Sequence, residues 1–97
     1  MTAPLAAVTL DTLLVRSGEV LFQEVGGEAV LLDLASEQYF GLDTVGTRIW
    51  ELIDAITPLR DIHARLCEEY DAEPPTIAAN LLALCQLLVE AGLAKVR

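Results

Sequence analysis

The hydrophobic pattern of this chain changes period once, and that change constrains the fold more than any other feature. Up to about Asp43 apolar residues alternate with a period of two; beyond it they recur with a period near 3.6. Strands therefore come first and helices after. With 97 residues in all, the expectation is one domain spanning 1–97.

In the first half, Val20–Val25 is β-prone, Gly26-Gly27 follows, and Glu28–Asp33 resumes the alternation. Two adjacent glycines tolerate the positive φ of a tight primed turn, which makes this a hairpin. Ala35-Ser36-Glu37 supplies a second turn, and Gln38-Tyr39-Phe40-Gly41-Leu42 reads as a third strand. Val8 to Val15 fits either a further extended segment or a loose N-terminal arm, taken as 1–14, and alternation does not choose between them.

In the second half, Asp43 or Thr44 is positioned to cap a first helix carrying Val45, Ile49, Trp50, Leu52 and Ile53 and running to about Ala55. Thr57-Pro58 reads as the start of a second helix, with proline at its first position and Ile62, Leu66 and Tyr70 behind it. Asp71 to Pro75 interrupts the pattern. Thr76 to about Ala91 forms the longest helix, closed by Gly92. The expected class is α+β, a three-stranded antiparallel sheet followed by three helices in a winged-helix-like arrangement.

Charge and cysteine content narrow the function. Fifteen acidic residues against six basic ones give a formal charge of -9, a field that repels phosphate backbones and anionic lipid. Neither nucleic acid nor membrane is an expected partner; basic or neutral polypeptides are. Cys67 and Cys85 stand far apart without C-x-x-C spacing, which excludes a disulfide framework and a cysteine zinc site and favours a reducing cytoplasm. Met1–Ala7 is apolar but no basic residue precedes Arg16, unlike a secretory signal. Meanwhile 54% of the chain is hydrophobic, which is rich for this size and hints at an apolar surface kept for a partner.

No catalytic constellation emerges, and no cofactor or metal is expected. His63 is the sole histidine and fits a surface or boundary position; each cysteine fits a small hydrophobe. The acidic run Glu68-Glu69 with Asp71 and Glu73 lacks the glycine and spacing of a calcium loop and reads as a solvated face. Gly26-Gly27 lacks the lysine and following helix of a phosphate cradle.

The third helix is richer in apolar residues than one buried face requires. At about 100° per residue, Ile77, Leu81, Leu84 and Leu88 form one stripe and Ala78, Leu82, Cys85 and Val89 an adjacent one. Either the helix is buried on both sides, or part of the second stripe floors a groove or a dimer contact. The third strand ends the meander, so its edge groups are open to an added peptide strand, and it carries no proline or lysine to block one. Alternation puts Phe40 and Leu42 on one face and Tyr39 on the other.

The blocks Gly27–Asp33, Gln38–Asp43, Gly46–Ile53, Leu66–Asp71 and Leu87–Leu93, in this order and spacing, resemble the PqqD-like family of small peptide-binding proteins, also called RiPP recognition elements. The likeness covers about residues 15 to 94. Asp43 stands where the family often has Asn, and Thr57-Pro58-Leu59 where many members have a Gly-containing turn. The resemblance implies a winged helix-turn-helix topology and a non-enzymatic role. The leader region of a precursor peptide would add as a strand to Gln38, Tyr39, Phe40, Gly41 and Leu42, with pockets from Leu81, Leu84, Cys85 and Leu88. It also implies a partner enzyme, such as a leader peptidase or a radical SAM enzyme. The Ile49-Trp50-Glu51-Leu52 block resembles the stand-alone proteins of lasso-peptide clusters more than the pyrroloquinoline quinone protein itself.

Two rival readings share parts of this pattern. A winged-helix DNA-binding protein is disfavoured because Thr76 to Ala91 contains no basic residue to read a groove. A homodimerisation module would bury the surplus stripe of the third helix across a two-fold contact.

Overall fold

The computed structural model describes residues 8–97. The readings of Met1–Ala7, and of that part of the proposed arm, lie outside the described residues. Five strands and three helices run in the order β1 (Leu14–Arg16), β2 (Val20–Val25), β3 (Glu28–Asp33), β4 (Gln38–Leu42), α1 (Thr44–Leu52), α2 (Leu59–Glu69), α3 (Pro74–Glu90) and β5 (Ala94–Val96). The main sheet is antiparallel in the order β2-β3-β4, and β1 pairs with β5 in a second, two-stranded sheet. The expected α+β class, a three-stranded sheet followed by three helices, is the observed one; the small sheet is an addition.

That small sheet settles the N-terminal segment. Leu14 lies opposite Val96 and Arg16 opposite Ala94, so the segment before the main sheet is tied to the one after α3. Three-residue strands are too short for alternation to announce them. Residues 8–14 are not a loose arm: Val8 and Leu14 are buried, and the carbonyls of Leu10 and Thr12 accept from the Arg60 and Leu59 amides. Those two bonds satisfy donors that the first turn of α2 would otherwise leave orphaned.

Helix boundaries follow local chemistry. Asp43 caps α1, its Oδ1 accepting from the Gly46 amide at 2.7 Å. α1 stops at Leu52, earlier than the expected Ala55, because Ile53 is extended and Ala55 is left-handed at φ 72. Pro58 is the N-cap of α2 rather than its first helical residue, and Thr57 donates its hydroxyl to Asp54 instead of capping. α3 begins two residues before the expected Thr76, with Pro74 and Pro75 opening its first turn, where proline sacrifices no hydrogen bond. Gly92, at φ 76, terminates the helical region as expected.

The core lies between the inner face of the sheet and the helices. Leu31 from β3 shares one buried cluster with Ile49, Leu66, Leu81 and Leu88 from the helices, all at most 2% exposed. α3 is buried on both sides, so the surplus stripe is absorbed: Ile77, Leu81, Cys85 and Leu88 are buried, and Leu82, Leu84 and Val89 pack partly against the same core. Of the described residues on α3, Leu87 is the large apolar one left exposed. The Arg16 guanidinium lies 5.7 Å from the centroid of the buried Trp50 ring, a cation–π contact over the end of α1.

Candidate functional site

The phase of hydrogen bonding in the sheet decides which backbone groups remain free. The Leu34 amide donates to the Glu19 carbonyl at 2.9 Å, and in the antiparallel register of β2 and β3 this places Glu28, Val30, Leu32 and Leu34 with their polar groups toward β2. Ala29, Leu31 and Asp33 then turn theirs toward β4, bonding Leu42, Phe40 and Gln38. Alternation leaves the N–H and C=O of Tyr39 and Gly41 directed away from the sheet along the outer edge of β4. Among the described residues these groups form an unpaired template at strand spacing.

Beside that edge is a cleft of about 540 Å³, lined by Gly41 and Leu42 of β4, Asp43, Val45, Gly46 and Ile49 at the start of α1, and Asn80 and Leu84 of α3. Gly46 suits the tight cap: a Cβ there would sit 3.1 Å from Asp43 Oδ1 and crowd it. A second hollow of about 230 Å³ shares Val45 and Asn80 with the first and continues toward Tyr70, Asp71 and Ala72. Asp43 and Asp71 are the charged residues of these walls, so both hollows carry negative charge and no base.

β2 also has an unpaired edge, but of a different character. All its residues except the half-buried Val20 are exposed, and its packing is on β3. A hollow of about 490 Å³ touches Gln23 and Val25 of β2, but its walls come from the strands and Asp43 and none from the body of a helix, whereas at β4 the template adjoins a cleft walled by α1 and α3.

The residues anticipated from sequence divide accordingly. Gln38 to Leu42 form the edge strand β4; Gly41, Leu42 and Leu84 line the cleft, Tyr39 is 72% exposed on the opposite face, and Phe40 is half-buried beside the core. Leu81, Cys85 and Leu88 are not brought to the cleft. They are 0%, 0% and 1% exposed, because the helix is rotated so that Leu84 and Asn80 face outward between β4 and α1. Burial pushes the Cys85 thiol up to about 12. Val45, Gly46, Ile49 and Asn80 were missed. Asn80 sits one turn before Leu84, a spacing that points to it once the rotation is known.

Nothing in the surroundings of His63 builds a nucleophile. Its Nε2 is 2.8 Å from the Pro74 carbonyl, an acceptor to which it must donate, and the Cys67 Sγ lies 3.4 Å from that same nitrogen. A nitrogen carrying its proton toward a carbonyl has no lone pair to take one from the thiol. Among the described residues no group of three or more His, Cys, Asp or Glu is arranged to hold a metal, and no helix is long and apolar enough to cross a membrane.

TbiB1, solved in complex with the TbiA(beta) leader peptide, matches with a TM-score of 0.74 and 34% sequence identity, over 81% of this chain and 92% of TbiB1. No curated protein matches by sequence. The family described as "Coenzyme PQQ synthesis protein D (PqqD)" matches residues 28–94, which takes in β3 and β4 of the main sheet, all three helices and every residue of the cleft; the chain belongs to the PqqD family.

Proposed function

We propose that this protein is a RiPP recognition element that binds the leader region of a ribosomally made precursor peptide and presents it to a modifying enzyme. The observation that carries the reading is the unpaired edge of β4 opening directly onto the cleft beneath it. A leader segment would bond to the Tyr39 and Gly41 backbone groups as an added antiparallel or parallel strand, and alternate side chains would enter the hollow between Leu42, Ile49 and Leu84. The smaller hollow beyond Val45 and Asn80 would receive a further apolar side chain.

The role is that of a carrier, in keeping with a family of non-catalytic peptide-binding proteins. Holding the leader near an enzyme makes the encounter with the rest of the precursor effectively intramolecular, which compensates for weak binding at the enzyme's own active site. The acidic walls would favour leaders bearing Lys or Arg and speed their capture at low salt. The chain would act as one domain over 1–97, in a reducing cytoplasm where its free Cys67 and Cys85 stay thiols. The partner would be a leader peptidase or a radical SAM enzyme, and the likeness of the Ile49–Leu52 block supports a lasso-peptide cluster. A helix-mediated homodimer has less to draw on, since most of both apolar stripes of α3 packs in the core and Leu84 walls the cleft.

The test is fluorescence polarisation with labelled leader segments of precursors encoded beside the gene. Binding at micromolar or tighter Kd, lost on changing Leu84 but kept on changing exposed residues of α2, is the expected result. Absence of binding to every such leader would overturn the reading.

A further inference from the structure

The face of the main sheet turned away from the helices is largely apolar, and none of the described residues covers it. By register, Leu21, Leu32 and Tyr39 line up across the three strands, with Val30 and Val25 beside them. Leu21 is 55% exposed, Val25 72%, Val30 44% and Tyr39 72%. A soluble domain of this size does not ordinarily leave such a contiguous group open without a use for it. Strand addition at β4 would not cover it, because an added strand extends the sheet sideways and its pocket side chains go to the helical face.

The charges around this face are one-sided. From Ser17 to Thr47 the chain holds six acids, Glu19, Glu24, Glu28, Asp33, Glu37 and Asp43, and no Lys, Arg or His. Glu19, Glu24, Glu28 and Glu37 are exposed around the strands and turns of the sheet. All the basic residues lie outside that stretch, and Arg48, Arg60 and Arg65 are paired with acids of the helical half or of the N-terminal segment. The molecule thus has a sheet lobe with an apolar centre and an uncompensated acidic border. A second copy of the chain would bring two such borders together and repel; a surface with the opposite border would not.

We propose that the outer face of the sheet, centred on Leu21, Val30 and Tyr39, is the docking surface for the modifying enzyme, which meets it with an apolar patch bordered by Lys and Arg. The inference rests on the leader-binding reading above and adds a partner to it: leader at the edge and cleft, enzyme on the outer face, both bound at once. An added leader strand would lengthen this face, so that the enzyme contacts the carrier and the outward side chains of the leader together.

The experiment uses the full chain and, as probe, the purified leader-processing enzyme encoded in the same gene cluster. Leader affinity is measured separately by fluorescence polarisation, so failure of the leader reading and failure of this one are told apart. Leu21→Ser with Val30→Ser should weaken enzyme binding about tenfold or more while leader affinity stays within about twofold. Glu28→Lys, which alters one exposed side chain and keeps the test open where the double variant fails to fold, should weaken enzyme binding and flatten its salt dependence. Unchanged enzyme affinity in these variants, a parallel loss of leader affinity, no enzyme binding by the unaltered protein, or a dimer in solution that the variants dissociate would each overturn the proposal.

Discussion

Leu42 at the end of β4 and Leu84 in the middle of α3 wall the same cleft, although nearly half the chain separates them in sequence. Leu42 is the more buried of the two and supports the core as well, whereas Leu84 is half-buried and packs at its margin. Leu84→Glu should therefore keep the fold, checked by circular dichroism, and reduce leader affinity at least about tenfold, which is about 1.4 kcal/mol.

Leu81, one turn from Ile77 and equally part of α3, should behave oppositely. It is 0% exposed, so Leu81→Ala should cost about 2–5 kcal/mol in denaturant unfolding through lost burial and the cavity left behind. Leader affinity of the remaining folded fraction should be nearly unchanged. A selective loss of binding with full stability would return Leu81 to the site.

Tyr39→Pro removes one of the two amides that β4 presents at its free edge, without breaking a bond to β3. Leader affinity should fall, while Tm changes little. Gln38→Pro or Phe40→Pro, which delete amides used inside the sheet, should instead lower Tm substantially. Equal behaviour of the two kinds of variant in thermal melts would contradict the phase assigned to the strand.

The bidentate pair of Arg48 with Glu69, both bonds at 2.8 Å, joins α1 to the end of α2. The Arg48 guanidinium holds the Glu69 carboxyl below its ordinary value. A depressed carboxylate adds stability at pH values above the unfolded pKa, and that stability is lost as pH falls through the folded one. The pair is partly exposed, so Glu69→Gln should cost at most about 1 kcal/mol at neutral pH. The difference from the unaltered protein should vanish in urea melts at acid pH.

Cys85, with its thiol pushed up to about 12 by burial, should resist iodoacetamide at pH 8 until the protein unfolds, since the thiolate is the reacting form. Leader binding should make no difference to that rate. Mass mapping of alkylated peptides, with and without denaturant, checks both statements.

The order of elements was legible because each depends on local chemistry. The Gly26-Gly27 turn, the Asp43 cap, the two periods and the Gly92 stop are all properties of short segments, and Gln38–Leu42 was recognisable as the last strand of a meander. The sequence also determined the imbalance of charge, since no base occurs between Arg16 and Arg48. Tertiary structure alone decided the pairing of β1 with β5, because two three-residue strands at opposite ends of the chain gain their bonds only when the domain closes. It decided the rotation of α3 too. Both apolar stripes of that helix satisfy the same periodicity, and only packing against α2, β5 and α1 determines that Leu81, Cys85 and Leu88 go inward while Asn80 and Leu84 face the cleft.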